Sequence, residues 1–182
     1  MSATTLTSVP TGTWNVDPSH SSVEFQVKHM AIATVKGQFN EFQGSLTIAD
    51  DGTATASGAV EVASVDTRES QRDEHLKSPD FFDAANHPQI TFVSTEITPV
   101  DEDSFKVTGD ITIHGVTKSI TLAASVEGAD EDPWGNQRVA LSVTGQINRG
   151  DFGMTFNQAL GSGNMLVADK VKIAIDVSAV KA

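Results

Sequence analysis

The chain has 182 residues, with 12 basic and 24 acidic side chains, a formal net charge of -12 and no cysteine. This length corresponds to one domain that can bury a substantial core. The negative charge repels nucleic acid and anionic membrane surfaces, and the lack of cysteine excludes disulfides and thiolate chemistry.

Residues 1–13 are predicted to be a flexible segment in front of a single domain, residues 14–182. The segment has neither the basic region nor the apolar region of a secretory signal. No run in the chain approaches the roughly 20 apolar residues of a membrane helix. We therefore expect a cytoplasmic protein without stable membrane insertion.

Alternating apolar and polar residues predict β-strands along most of the remaining chain. In the first strand, Val23, Phe25 and Val27 alternate with polar residues. In the second, the apolar parity changes between Phe39 and Phe42, which is typical of a β-bulge that bends one continuous strand. Six further strands are predicted, at residues 54–62, 90–97, 105–113, 120–126, 139–147 and 171–177.

Each of these antiparallel strands has one apolar face that must be covered. A closed barrel covers it and also removes exposed sheet edges, and eight strands leave room inside for packed side chains or one small ligand. Five glycines lie on the apolar parity, where they either mark bends or leave space for a cavity. They are Gly37, Gly44, Gly58, Gly109 and Gly145. Both interpretations favour a barrel over a two-sheet sandwich.

One helical segment, SQRDEHLKSPDFFD at residues 70–83, interrupts the strands. Ser70 is its predicted N-cap, and Pro79 is predicted to end the helix. Two aromatic residues, Phe81 and Phe82, follow directly. The segment is predicted to close one end of the barrel.

The inward parity, the helical segment and the later stretch INRGDFGMTF together predict an apolar, ligand-binding lumen. Its predicted lining residues are Phe25, Val27, Phe39, Phe42, Leu46, Val60, Leu76, Phe81, Phe82, Ile90, Phe92, Val107, Ile111, Leu122, Leu141, Met154 and Phe156. A long ligand can enter only if the helical segment or the later stretch moves aside.

The five histidines raise the question of a metal or catalytic site. No two are spaced as H-x-H or H-x-x-x-H, and His20 and His29 lie roughly 30 Å apart if the first strand is extended. Ser21 follows His20 directly, but neighbouring residues in a strand point to opposite faces, so these two side chains cannot form a catalytic dyad. We expect no metal site, no catalytic residue and no cofactor, and we expect His20 and His114 to bond the backbone of turns.

Two arginine–aspartate pairs, Arg72 with Asp73 and Arg149 with Asp151, have two interpretations. They are buried or half-buried salt bridges that fasten the helical segment and the last turn to the barrel, where loss of one partner costs several kcal/mol. Alternatively, a cation at the barrel mouth accepts a phosphate or carboxylate headgroup through a bidentate contact.

Five motifs occur in order: WNVDPSHSSVEFQVKHM, DTRESQRDEHLKSPDFF, HPQITF, GDITIHGVTKSITL and INRGDFG. Together they resemble the YceI family of lipocalin-like, polyisoprenoid-binding proteins, from about Trp14 to the C-terminus. The resemblance implies an all-β fold, an extended eight-stranded antiparallel barrel whose lumen binds a long-chain isoprenoid or fatty amphiphile. By analogy it also implies a homodimer. Many members of the family carry a signal peptide, and this sequence differs from them because its first residues lack that pattern.

The expected function is therefore that of a carrier, storage or sequestering protein for such a lipid. At about 0.3 kcal/mol per heavy atom, a chain of about forty carbons reaches nanomolar affinity without strong polar contacts. The alternatives are a solidly packed structural or stress-related interaction protein, and an isoprenoid-modifying enzyme.

Overall fold

The computed structural model describes residues 8–182. One α-helix, α1, spans Ser70–Lys77, and short 3-10 turns occur at Pro18–His20, Val62–Ser64 and Arg149–Phe152. The β-strands are Gly12–Val16 (β1), Ser22–His29 (β2), Ala33–Phe39 (β3), Phe42–Ile48 (β4), Ala54–Glu61 (β5), Val65–Asp66 (β6), Gln89–Pro99 (β7), Ser104–Ile113 (β8), Val116–Glu131 (β9), Gln137–Asn148 (β10) and Val167–Lys181 (β11). Among the described residues, no helix has the length and apolar character needed to cross a membrane.

Three strands of the barrel are interrupted. β1 and β2 follow each other along β11, and on their other side they pair with β4 and β3. β5 and β6 pair with β4 and β3 in the same way. Counting each interrupted strand once, the predicted closed barrel of eight antiparallel strands is confirmed. The break between Phe39 and Phe42 lies where the parity change predicted a bend.

The barrel begins before the predicted domain boundary. Residues 1–7 of the predicted flexible segment lie outside the described residues. Val9 is buried, and the indole Nε1 of Trp14 donates to the carbonyl oxygen of Pro10 at 2.9 Å. β1 starts at Gly12, in a stretch where the sequence predicted no strand, because pairing with two neighbouring strands orders a stretch too short to show alternation.

Helix α1 has the predicted extent but a different N-cap. The Glu69 carboxylate accepts from the backbone N–H groups of Gln71 and Arg72, at 3.3 and 2.7 Å, and Ser70 is the first helical residue. A negative charge at this position also interacts favourably with the helix dipole. At the other end the helix stops before Pro79, as predicted.

Two apolar clusters occupy opposite ends of the barrel. The larger one includes Trp14, Phe105 and Val139, all at most 4% exposed. The smaller one includes Ile113 and Phe152. Phe105 and Ile113 lie near opposite ends of β8, roughly 25 Å apart along the strand.

An ion-pair network joins the strand ends beside the larger cluster. Arg138 donates to the carboxylates of Asp17 and Asp132, at 2.9 and 2.8 Å. Desolvation raises the pKa of Asp132, but hydrogen bonds from Arg138, Asn136 and Trp134 outweigh it and lower the pKa to about 2. Hydrogen bonds from His20, Ser19 and Arg138 lower the pKa of Asp17 as well.

This network should make the free energy of unfolding decrease as the pH falls into the acid range. An aspartate with an unfolded-state pKa of about 3.9 and a lower folded-state pKa contributes stability above pH 4 that is lost as the pH falls towards about 2. Arg138→Met should flatten this dependence, because the carboxylates lose the donor that favours their charged form. Urea unfolding between pH 6 and 2.5 measures it, with Lys118→Met, which removes an exposed charge, as the control. Equal pH dependence in wild type and Arg138→Met would contradict the prediction.

Candidate ligand-binding site

The barrel encloses a cavity of about 510 Å³. Side chains from each of the eight barrel strands line it, and the lining is almost wholly apolar. The volume falls within the roughly 300 to 1,000 Å³ of typical small-molecule sites. The buried cluster around Trp14 lies towards one end of the barrel and contributes several of the lining residues.

Every residue predicted to line the lumen does line this cavity: Phe25, Val27, Phe39, Phe42, Leu46, Val60, Leu76, Phe81, Phe82, Ile90, Phe92, Val107, Ile111, Leu122, Leu141, Met154 and Phe156. Contact of these side chains with a ligand stays a prediction. The sequence interpretation omitted further lining residues on β11, such as Ile173 and Val177, although their alternation was visible. It also omitted Trp14, whose strand was not predicted.

The inward glycines fall into two groups. Gly44 and Gly58 are paired across β4 and β5 and line the cavity, and a Cβ at either would make a close contact of 3.2 Å rather than a collision. The other three are covered by a neighbouring side chain, since a Cβ would collide with it: Gly37 by Phe25, Gly109 by Phe92 and Gly145 by Leu122. The cavity interpretation therefore applies to the first pair, and close approach of a large neighbour explains the others.

The other end of the lumen is covered by residues 70–87, which we call the lid. The Phe81 ring lies 5.3 Å from that of Phe156, and the Phe82 ring lies 5.8 Å from that of Phe39. His75 contacts both Phe81 and Phe156, with ring centroids 5.0 Å apart. The lid and the stretch INRGDFGMTF thus meet in one aromatic cluster above the cavity.

The charged side of α1 faces away from the lumen. Lys77 pairs with Glu74 at 3.1 Å, and both are on the helix surface. The predicted inward side, with Leu76 and the two phenylalanines, lines the cavity. The lid therefore presents apolar side chains to the lumen together with Arg72 and His75, whereas Glu74 and Lys77 lie on its outer side.

Arg72 and Asp73 do not form the predicted ion pair but bind the same residue, Thr67. Arg72 donates through Nε to the Thr67 hydroxyl and through Nη2 to the Thr67 carbonyl, at 2.7 and 2.6 Å. Asp73 accepts from the Thr67 backbone N–H at 2.8 Å and from its hydroxyl. Neighbours on a helix diverge, so a buried threonine just before the helix is the better partner for both.

The predicted pair of Arg149 and Asp151 is also absent. Arg149 is 5% exposed and donates to the carbonyl oxygens of Met154, Ala168 and Val167, at 2.7, 2.9 and 3.2 Å. Asp151 is exposed, because the 3-10 turn that holds both residues points them in different directions. Burial lowers the pKa of Arg149, and the charge of Asp169 opposes this effect.

Three histidines have defined partners, and Nε2 of His75 lies 2.9 Å from a carboxylate oxygen of Asp80. Nδ1 of His20 lies 2.7 Å from a carboxylate oxygen of Asp17, so the expected bond to turn backbone is replaced by a side-chain contact. Nδ1 of His114 lies 3.0 Å from the carbonyl oxygen of Phe152, so His114 bonds backbone as expected, though in a segment distant in sequence.

A closed eight-stranded antiparallel barrel around an apolar cavity defines a lipocalin-like barrel protein. Residues 14–179 match the YceI-like domain model, and the chain belongs to the YceI family.

Relatives of known sequence and structure agree with this assignment. A UPF0312 protein of Staphylococcus aureus (strain MSSA476) is 38% identical over 159 residues, which are 86% of this chain and 90% of the relative. Burkholderia cenocepacia BcnA has a similar structure, with a TM-score of 0.78, 25% identity, and coverage of 90% of this chain and 98% of that one. For a Campylobacter jejuni YCEI protein the TM-score is 0.73 at 30% identity, covering 85% and 90% of the two chains.

A more distant structure shares the fold. It is a polyisoprenoid binding domain from Saccharophagus degradans implicated in plant cell wall breakdown, with a TM-score of 0.72 and 15% identity. The similarity covers 93% of this chain and 98% of that domain.

Proposed function

We propose that this protein binds a long-chain amphiphilic lipid, a polyisoprenoid or a similar molecule, and acts as its carrier, storage or sequestering protein rather than as an enzyme. The observation that carries the proposal is the apolar cavity of about 510 Å³ inside the barrel. A solidly packed barrel, the alternative considered from the sequence, would not contain this space. The description of the Saccharophagus degradans domain as polyisoprenoid binding supports the ligand class.

The distribution of charge suggests how the lipid is oriented. Arg72 and Arg149 both line the cavity at the lid end, whereas the opposite end is lined by apolar residues around Trp14. Arg149 has five N–H donors and uses each of its three nitrogens once, so donors remain for a further acceptor. We place the polar or anionic headgroup at the lid and the chain along the barrel axis.

The test is the lipid content of the protein. Protein purified from its own host should release about one long-chain lipid per chain into an organic extract, detected by mass spectrometry. Lipid-free protein should also take up a fluorescent isoprenoid analogue. An extract without lipid, together with no uptake of the analogue, would contradict the proposal. Turnover of isoprenoid phosphates by the purified protein would favour the enzyme instead.

The lid should control the rates of ligand exchange. Phe82 is half-buried between the lumen and Phe39, and full burial of a phenylalanine is worth about 1.5 to 3 kcal/mol. Phe82→Ala should therefore raise both the uptake and the release rates of the analogue by about tenfold, while equilibrium affinity changes less. Stopped-flow fluorescence measures both rates. Val139→Ala is the control that separates lid opening from general destabilisation, because Val139 is buried in the cluster around Trp14 but does not line the cavity.

Unchanged rates in Phe82→Ala would show that entry lies elsewhere. Equal acceleration in Val139→Ala would assign the effect to loss of stability.

A further inference from the structure

Three side chains that commonly bind metals come together where the lid meets the barrel, outside the lumen. They are Asp83 and His87 of the lid and His114 in the turn between β8 and β9. One ligand atom of each lies within 4.8 Å of the other two, and all three residues are half-buried. The two imidazole rings have centroids 5.0 Å apart.

The backbone explains how these residues meet. His87 lies just before β7 and His114 just after β8, so the antiparallel pairing of these strands brings the two histidines together. Asp83 and His87 belong to one turn, in which the His87 backbone N–H donates to the Asp83 carbonyl oxygen at 2.8 Å. The Asn86 side chain donates to the Asp83 carboxylate at 2.9 Å and orients it.

The protonation of His114 suits metal binding. A carbonyl oxygen can only accept, so Nδ1 of His114 carries the proton that it donates to Phe152. Nε2 of the neutral ring then has a free lone pair. Donation of the other ring N–H to a backbone carbonyl is the arrangement typical of histidines that bind metals.

The position of His87 is also restricted by its neighbours. Its ring lies against Gly115, where a Cβ would come within 2.8 Å of Cε1. Gly115 has a φ of +73°, which favours glycine in addition. Absence of a side chain at this position therefore lets the ring lie beside His114.

We propose that Asp83, His87 and His114 bind a divalent transition-metal ion of the Zn²⁺ type. Two imidazole nitrogens and a carboxylate oxygen are a ligand set suited to zinc, with bonds of about 2.0 to 2.2 Å. A tetrahedral shell of that size places ligand atoms about 3.4 Å apart, which rotation of the side chains reaches from the observed separation. The fourth position is open to water. The net charge of -12 attracts cations to the protein.

The spacing of the histidines in sequence led to the expectation of no metal site. The proposal differs from that expectation because the fold brings together ligands that are distant in sequence. Since two ligands belong to the lid and one to the barrel, a bound ion would fasten the lid to the β8–β9 turn. The proposal concerns the metal alone and does not depend on the identity of a lipid.

The experiment uses the untagged, chelator-treated full chain and isothermal titration with ZnCl2. We expect about one ion per chain, a rise in the melting temperature on adding zinc, and a tetrahedral Co²⁺ absorption spectrum when cobalt replaces it. His87→Gln and Asp83→Asn should each lower the zinc affinity by about tenfold or more. The matched controls are His75→Gln in the lid and His20→Gln near Asp17, which should bind as wild type does.

His114→Gln is a third variant, but it also loses the bond to Phe152. Its zinc affinity is therefore interpreted only if circular dichroism shows the native fold. Asp83→Asn keeps the side-chain shape and the bond geometry near Asn86, so it tests the site even if the histidine variants unfold. Absence of stoichiometric zinc binding by the wild type would overturn the proposal. Equal affinity in wild type and Asp83→Asn together with His87→Gln would overturn it as well.

Discussion

Replacing Arg149 with methionine should lower the free energy of unfolding by about 3 kcal/mol. The guanidinium is buried and donates to the carbonyl oxygens of Met154, Ala168 and Val167. The Val167 carbonyl keeps the Asn157 amide as a donor at 2.7 Å, whereas the other two lose Arg149. A buried acceptor left without its donor costs about 1 to 3 kcal/mol, and removal of a desolvated charge offsets part of the sum.

Urea unfolding at pH 7 with linear extrapolation measures this change. Arg68→Met is the matched control, because Arg68 is an exposed arginine and its loss should change stability by less than about 0.5 kcal/mol. If the Arg149 variant is as stable as the control, the carbonyl groups find other donors, and Arg149 contributes to ligand binding rather than to stability. A loss of lipid binding without a loss of stability would support the same conclusion.

Replacing Gly58 with phenylalanine should weaken lipid binding by roughly thirtyfold. Gly58 and Gly44 are paired across two strands and line the lumen. The seven heavy atoms of the new side chain exclude about as many ligand atoms, and at about 0.3 kcal/mol per atom the loss is about 2 kcal/mol. A Cβ at Gly58 would lie 3.2 Å from the Gln43 carbonyl oxygen, so a smaller loss of stability accompanies it.

Titration with the fluorescent isoprenoid analogue measures this affinity, and thermal unfolding measures the stability of the same samples. Gly128→Phe is the control, since Gly128 also lies in a strand but has no atom near the position of a Cβ. Normal binding by a Gly58 variant that merely melts earlier would show that this glycine serves only as a bend. Equal loss of binding in Gly128→Phe would show that the effect is not specific to the lumen.

Much of the barrel could be predicted because its signals are local. The alternation of Val23, Phe25 and Val27 indicates which side chains face inward. Side chains along a strand alternate with a period of two, whatever lies on the neighbouring strands. The bend between Phe39 and Phe42 is equally local. For the same reason the predicted lining residues, taken strand by strand, all lie on the lumen side.

Partners of charged residues could not be predicted in this way. Arg72 was paired with Asp73 and Arg149 with Asp151 because they are close in sequence, yet their true partners are Thr67 and backbone carbonyls of β11 and of the preceding loop. Which hydrogen bonds a buried cation makes depends on how several segments approach it, and no single segment contains that information.

The sequence by itself determined the fold class, the inward face of each strand and the family, because strand period, turn residues and ordered motifs are readable along the chain. The tertiary structure alone decided which inward glycines line the cavity and which are covered by a side chain, which groups satisfy Arg149, and that His87 and His114 meet beside Asp83. These features depend on strand register and on contacts between residues tens of positions apart, where a shift of one residue would change every neighbour.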